Sequence, residues 1–121
     1  MENKEFALML ENRTLEFAIK TLKLCGKLPN STEGNVVRNQ LAKSGTSIGA
    51  NYREANRARS KADFKNKIKI CESESSETDY WLTIIKLMEW LPEVALVHEQ
   101  KESKELLSIF SAIGQKLNTS R

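Results

Sequence analysis

The stretch QLAKSGTSIGANYREANRARSKADFKNKI, from Gln40 to Ile68, decides the fold. Together with Val37, its residues Leu41, Ser44, Ile48, Asn51 and Ala55 step by four and three alternately. That heptad spacing brings one line of side chains to the inner face of a helix packed among others. Ser60 followed by Asp63 has the form of a capping box with the shorter acid, so a helix boundary is expected at Arg57 to Ser60, although neither Gly nor Pro stands there. One helix running through this point is the competing reading. Beyond it, Phe64, Ile68, Cys71, Ser75, Thr78, Leu82 and Ile85 carry the same alternation.

Working outward, helix 2 is predicted from Thr32 to Ala58 and helix 3 from Lys61 to Trp90. Pro92 ends helix 3 because proline lacks an amide hydrogen and disfavours a helical residue before it. Helix 1 is predicted from Glu5 or Asn12 to Leu24, with Phe17, Thr21, Leu24 and Leu28 inward, stopped by Gly26 and Pro29. The cluster Asn30, Ser31 and Thr32 supplies N-cap oxygens for helix 2. Helix 4 is predicted from Glu99 to Leu117, with Leu106, Phe110, Ile113 and Leu117 inward, and a polar, frayed tail from Asn118 to Arg121. Four amphipathic helices with short connections make an all-α, antiparallel up-down four-helix bundle, a single domain over residues 1–121.

At 121 residues, with 40% hydrophobic and 29% charged side chains, the chain is long enough to build its own core. No apolar run approaches the roughly 20 residues that span a bilayer, so no membrane partner is expected. The charged start MENKEFALMLENR lacks a signal-peptide apolar segment and points to the cytoplasm. Net charge is only +3, but it is unevenly placed. Basic residues dominate from Arg38 to Lys69 and acidic ones from Glu72 onward, as for a nucleic-acid face or head-to-tail subunit contact. Cys25 and Cys71 sit inside apolar helical patterns without metal spacing and read as small core hydrophobes.

The pattern carries more apolar surface than one bundle needs. Ile70, Tyr80, Trp81, Ile84 and Leu87 fall off the inner line of helix 3 and form a candidate oligomer interface, favouring a homo-oligomer over a monomer. Ala42, Gly45 and Gly49 make a strip of small residues on helix 2. Two glycines inside one helix cost roughly 1 kcal/mol each relative to alanine, so a neighbouring backbone, helix 1 or helix 3, is expected close by.

A row of polar side chains, Gln40, Ser44, Ser47, Asn51 and Glu54, adjoins the apolar line of helix 2. Such groups need hydrogen bonds when buried. Either the row pairs with Ser75, Thr78 and Glu74 of helix 3 and fixes register, or it lines an oligomer seam or a small polar pocket. Arg53, Arg57, Arg59, Lys61, Lys65 and Lys69 cluster about the helix 2–helix 3 break as a candidate nucleic-acid-binding block. Guanidinium forks bind phosphate oxygens in pairs. No aromatic residues interleave with these charges, as stacking on single strands would need. A solvated surface with intersubunit salt bridges competes equally with RNA binding.

Nothing in the chain assembles a catalytic, metal or cofactor site. His98 falls in the polar linker after Pro92 with no nucleophile near it. Glu74 with Glu77, and Glu102 with Glu105, are spaced like solvated helix faces. The Glu-x-x-His motif of di-metal bundles and the glycine-rich phosphate loop are both absent. The expectation is a protein that is not an enzyme and takes no cofactor.

The blocks FAIKTLKLCGKLP (Phe17 to Pro29), QLAKSGTSIGANYREA (Gln40 to Ala55), SKADF (Ser60 to Phe64) and ESESSETDYWL (Glu72 to Leu82), in that order, resemble the four-helix-bundle family encoded within intervening sequences of bacterial 23S ribosomal RNA genes. The resemblance spans nearly the whole chain. One departure is Gly45, where the family usually has alanine. The resemblance implies a cytoplasmic bacterial protein that forms a ring-like homopentamer. It also implies a fold similar to accessory proteins of diversity-generating retroelements, whose basic surfaces engage nucleic acid and a reverse transcriptase. It gives Gln40, Ser44, Ser47, Asn51 and Glu54 a structural or interfacial role and assigns no catalytic residue. RNA is thus one candidate partner, and a protein docking on helix 3 is the other.

Overall fold

The computed structural model describes residues 3–119, which fold into four helices: α1 (Lys4–Cys25), α2 (Thr32–Ala55), α3 (Lys61–Leu87) and α4 (Glu93–Thr119). Each of the first three starts on a side-chain cap. The Asn3 carboxamide oxygen accepts from the Phe6 amide at 2.8 Å, Ser31 Oγ from Gly34 at 3.0 Å, and Ser60 Oγ from Asp63 at 3.0 Å. A capped first turn satisfies amides that have no partner inside the helix, which is why α1 begins at Lys4, ahead of both predicted starts. The Ser60 cap makes the break between α2 and α3 real, and α2 stops at Ala55, three residues short of its predicted end.

α3 also ends earlier than predicted, at Leu87 instead of Trp90. Glu89 takes a left-handed backbone with φ 58°, its amide donates to Lys86 O at 3.1 Å, and the Trp90 amide donates to Ile85 O at 3.2 Å. These paired bonds are a Schellman closure, with glutamate where glycine is usual. The closure, and not Pro92, terminates α3.

The largest correction concerns α4, which starts at Glu93, six residues before the predicted start. Leu96, Glu99, Ser103, Leu106 and Phe110 are its buried line and keep the alternation of three and four. A glutamate and a serine interrupt the apolar pattern there, and a buried glutamate reads from sequence as surface. His98 therefore lies on α4 and not in a linker. At the far end α4 stays helical through Thr119, so Asn118 and Thr119 are not part of a frayed tail. The remainder of that expected tail lies outside the described residues.

α1 packs on α2, α2 on α3 and α3 on α4, so α1 and α3 stand on a diagonal; α1 and α4 close the bundle with far less contact. The core has two halves. Leu10, Phe17, Ile48, Tyr52, Phe64 and Phe110 fill the end where α2 turns into α3. Leu28, Leu41, Leu82, Ile85 and Leu96 fill the opposite end. The rings of Tyr52 and Phe110 meet edge to face at 5.5 Å, joining α2 to α4.

The glycine strip faces α1. A Cβ on Gly45 would come within 2.6 Å of Thr21 Cγ2, and one on Gly49 within 3.0 Å of Thr14 Oγ1. The two threonines stand two turns apart and sit over the two glycines, which lets α1 and α2 approach closely.

Candidate nucleic-acid interface

Arg53 lies in the last turn of α2, Arg57 and Arg59 in the turn, and Lys61, Lys65 and Lys69 on the first turns of α3. All are exposed except Lys65, which is half-buried, and none makes an ion pair with any described residue. The Ser60 cap brings them to one end of the bundle by reversing the chain there. Lys67, among them in sequence, differs: its ammonium donates to Glu54 Oε1 at 2.7 Å, and that bond raises the lysine pKa. Arg38, at the start of the basic run, serves the fold. It donates to the carbonyls of Cys25, Leu28 and Pro29 and to the Asn35 side chain, binding the α1–α2 turn to α2.

The polar row divides. Ser44 is fully buried, and its hydroxyl lies 3.0 Å from Thr78 Oγ1 of α3, a direct bond between the two helices. Ser75 donates instead to Cys71 O at 2.8 Å on its own helix. Ser47 donates to Lys43 O at 2.6 Å, and Asn51 to Ser47 O at 2.8 Å, both also within their own helix. Gln40 is half-buried and Glu54 exposed. Glu74, expected as a partner for the row, supplies among the described residues only its backbone carbonyl, to Thr78; burial, then Glu77, pushes its carboxyl pKa up.

Of the five residues set off the inner line of α3, Ile70, Tyr80 and Leu87 are exposed, with Leu87 75% so. Trp81 and Ile84 are half-buried against the chain's own core. A second apolar face, not anticipated from the sequence, lies on α1. Leu8, Leu15, Ile19 and Leu22, exposed by 45–62%, share with Asn12 a heptad line opposite the buried one. The signal was present in the spacing but overshadowed by the inner line on the same helix. Because α1 and α3 are diagonal, the two outer faces point to opposite sides of the bundle.

The α1–α4 seam also holds Arg13 and Glu99, which sequence reading passed over, and Glu102, expected on a solvated face but half-buried. Arg13 forks onto Glu102, with bonds of 2.6 and 2.7 Å, and reaches Glu105 at 2.8 Å. The guanidinium holds the Glu102 carboxyl below the usual carboxylate range and is itself pushed higher. One turn along, Glu99 is only 5% exposed, and Thr21 Oγ1 donates to its Oε2 at 2.7 Å. Its Oε1 is buried and has no partner among the described residues. Burial pushes the Glu99 carboxyl up, against the opposing pull of the Thr21 hydroxyl.

A model of the family described as "23S rRNA-intervening sequence protein" matches residues 7–114. The chain belongs to that family. A crystal structure from Bacteroides thetaiotaomicron, of a protein with unknown function from the S23 ribosomal protein family, matches with a TM-score of 0.80 at 36% identity, covering 86% of this chain and 96% of that one. Among curated proteins nothing matches. The resemblance carried by the four sequence blocks is thus the family itself, and its bundle fold is the one seen here. Among the described residues, no helix is long and apolar enough to cross a membrane.

Proposed function

We propose that this member of the family is a non-enzymatic, cytoplasmic, oligomeric bundle that binds RNA or scaffolds a ribonucleoprotein through the α2–α3 end. The observation that carries this reading is the cluster of Arg53, Arg57, Arg59, Lys61, Lys65 and Lys69, exposed or half-exposed and without ion pairs among the described residues. Cations left unpaired by their own fold can neutralise phosphates and release condensed counterions. The opposed outer faces of α1 and α3 support head-to-tail association, which closes into rings when the rotation permits.

The test is RNA affinity measured against salt. Replacing Arg53, Arg57 and Arg59 together by glutamine should weaken binding and flatten the log–log salt slope by about 2, near 0.7 per lost single-strand phosphate contact. An unchanged affinity and slope would sink the assignment of this end.

The other reading, a protein-interaction module without nucleic acid, draws on Tyr80 and Leu87, exposed in the monomer. A monomer by light scattering, with no RNA affinity, would favour it.

A further inference from the structure

Two clefts meet over Glu99 along the loose α1–α4 seam. One, of about 310 Å³, is walled by Arg13, Glu16, Phe17 and Glu102. The other, of about 250 Å³, is walled by Lys23, Leu24, Lys27, Leu91 and Ala95. Lys20, His98 and Glu99 belong to both. Lys20 and Lys23 lie three residues apart on α1 and Lys27 follows in the turn after it, and none has an ion pair among the described residues. The seam thus joins an apolar slot, a row of ammonium groups and a buried carboxylate with one oxygen unpartnered. Such an oxygen destabilises the fold until a donor reaches it.

A free cation entering here would be repelled by the three lysines. A ligand that is anionic at one end and presents N–H groups at the other suits both parts of the site. Among nucleobases, guanine alone offers two adjacent donors, N1–H and the exocyclic amino group, spaced to meet the two oxygens of one carboxylate. Adenine and cytosine set a ring acceptor beside their amino group, and uracil flanks its single N–H with carbonyls. Each would place an acceptor against the carboxylate.

We propose that the α1–α4 seam is a guanine-nucleotide site. Glu99 receives the Watson–Crick edge of the base, Leu24, Leu91 and Ala95 contact its faces, and Lys20, Lys23 and Lys27 meet the phosphate. Oε1 is covered in the free protein, so entry swings the exposed side chains of Lys20 and His98 aside. The nucleotide is either free or part of an RNA strand. The site lies away from the α2–α3 basic end and does not depend on RNA binding there.

Calorimetric titration of the full chain at low salt tests this with guanosine, inosine and adenosine monophosphates and inorganic phosphate. Guanosine monophosphate should bind saturably. Inosine monophosphate, which lacks the exocyclic amino group, should bind at least about tenfold more weakly, the discrimination of a lost bidentate partner. Ala95→Phe fills the slot without touching the carboxylate and should abolish binding, as should Glu99→Gln, with helical content confirming that both variants fold. A single-stranded oligonucleotide carrying one guanine separates the two sources. Affinity lost with Ala95→Phe but kept with the Arg53, Arg57 and Arg59 triple variant assigns the site to a strand, and binding of the mononucleotide alone assigns it to the free nucleotide. Equal affinity for inosine and guanosine monophosphates, retention by Ala95→Phe, or no saturable binding of either probe overturns the proposal.

Discussion

The two seams that hold α1 are opposites. Against α2 it packs threonine over glycine, with Thr21 above Gly45 and Thr14 above Gly49. Against α4 it meets a loose, charged seam of Arg13, Glu99 and Glu102. Thr21 belongs to both: its methyl covers Gly45 and its hydroxyl holds Glu99. The difference shows two ways of burying polar side chains. The hydroxyls of Thr14 and Ser75 donate to carbonyls of their own helix and need no outside partner. A carboxylate has no such recourse and depends on donors from elsewhere.

The change expected to disturb this contrast most is Gly45→Ala. The new Cβ meets Thr21 Cγ2 at 2.6 Å, and a β-branched side chain has little freedom to turn away without releasing Glu99. Overpacking of this kind costs about 1–3 kcal/mol, and the upper part of that range is expected in chemical denaturation. In a Thr21→Ser background the methyl is gone while the hydroxyl stays. There, the new Cβ still meets the Cβ and hydroxyl oxygen of position 21, at 3.2 and 3.3 Å. The cost of Gly45→Ala should therefore shrink to a small remainder, offset by the preference of about 1 kcal/mol for alanine over glycine in a helix. Equal costs in both backgrounds would show that Thr21 is not the obstacle.

Next in size is Thr21→Val, which keeps the methyl over Gly45 and removes the donor to Glu99. A loss of about 1–2 kcal/mol is expected at neutral pH, because a second buried oxygen is then unsatisfied. Adding Glu99→Leu should recover most of it, since replacing both partners by apolar groups of similar shape can be nearly neutral. The pH dependence has a definite sign. With its folded pKa raised, Glu99 binds more proton in the folded than in the unfolded state across the interval above the ordinary carboxylate range. Its contribution to stability therefore falls as pH rises through that interval. The Thr21→Val penalty should be fullest above the interval and shrink as pH falls into it.

These residues also show what was legible in the sequence. The 4–3 lines gave the bundle, and Ser60 with Asp63 gave the α2–α3 break, because caps and periodicity are local properties. The glycine strip announced a close neighbour but not which one, since only the packing puts Thr14 and Thr21 above it. Glu99 and Ser103 hid the first turns of α4 by placing polar residues on its inner line. The outer line of α1 was readable by the same spacing rule, yet a helix with two apolar faces looks from sequence like a helix with one broad face. The basic end could be located from sequence, but the diversion of Lys67 to Glu54 and of Arg38 to the α1–α2 turn depends on three-dimensional neighbours.

The smallest effect sought is at Arg13, and it distinguishes two glutamates three residues apart on α4. Arg13→Met keeps much of the aliphatic stem and removes the fork onto Glu102 and Glu105. The Arg13 side chain is 29% exposed and that of Glu102 21%, so solvent screens the pair, and a loss of about 1 kcal/mol is expected at neutral pH. Glu102 has its folded pKa lowered by the guanidinium, the reverse of Glu99. Its stabilisation is present above the ordinary carboxylate range and is lost as pH falls through that range toward the depressed folded value. The stability gap between wild type and Arg13→Met should therefore be full near neutrality and close on acidification through the ordinary carboxylate range and below it, beneath the interval where protonation relieves Glu99. Denaturation midpoints measured across both intervals should show pH slopes of opposite sign relative to wild type, for Thr21→Val with Glu99→Leu in the upper one and for Arg13→Met in the lower one. Slopes of the same sign would mean that the two carboxylates titrate as one coupled group and that the seam is a single charged network.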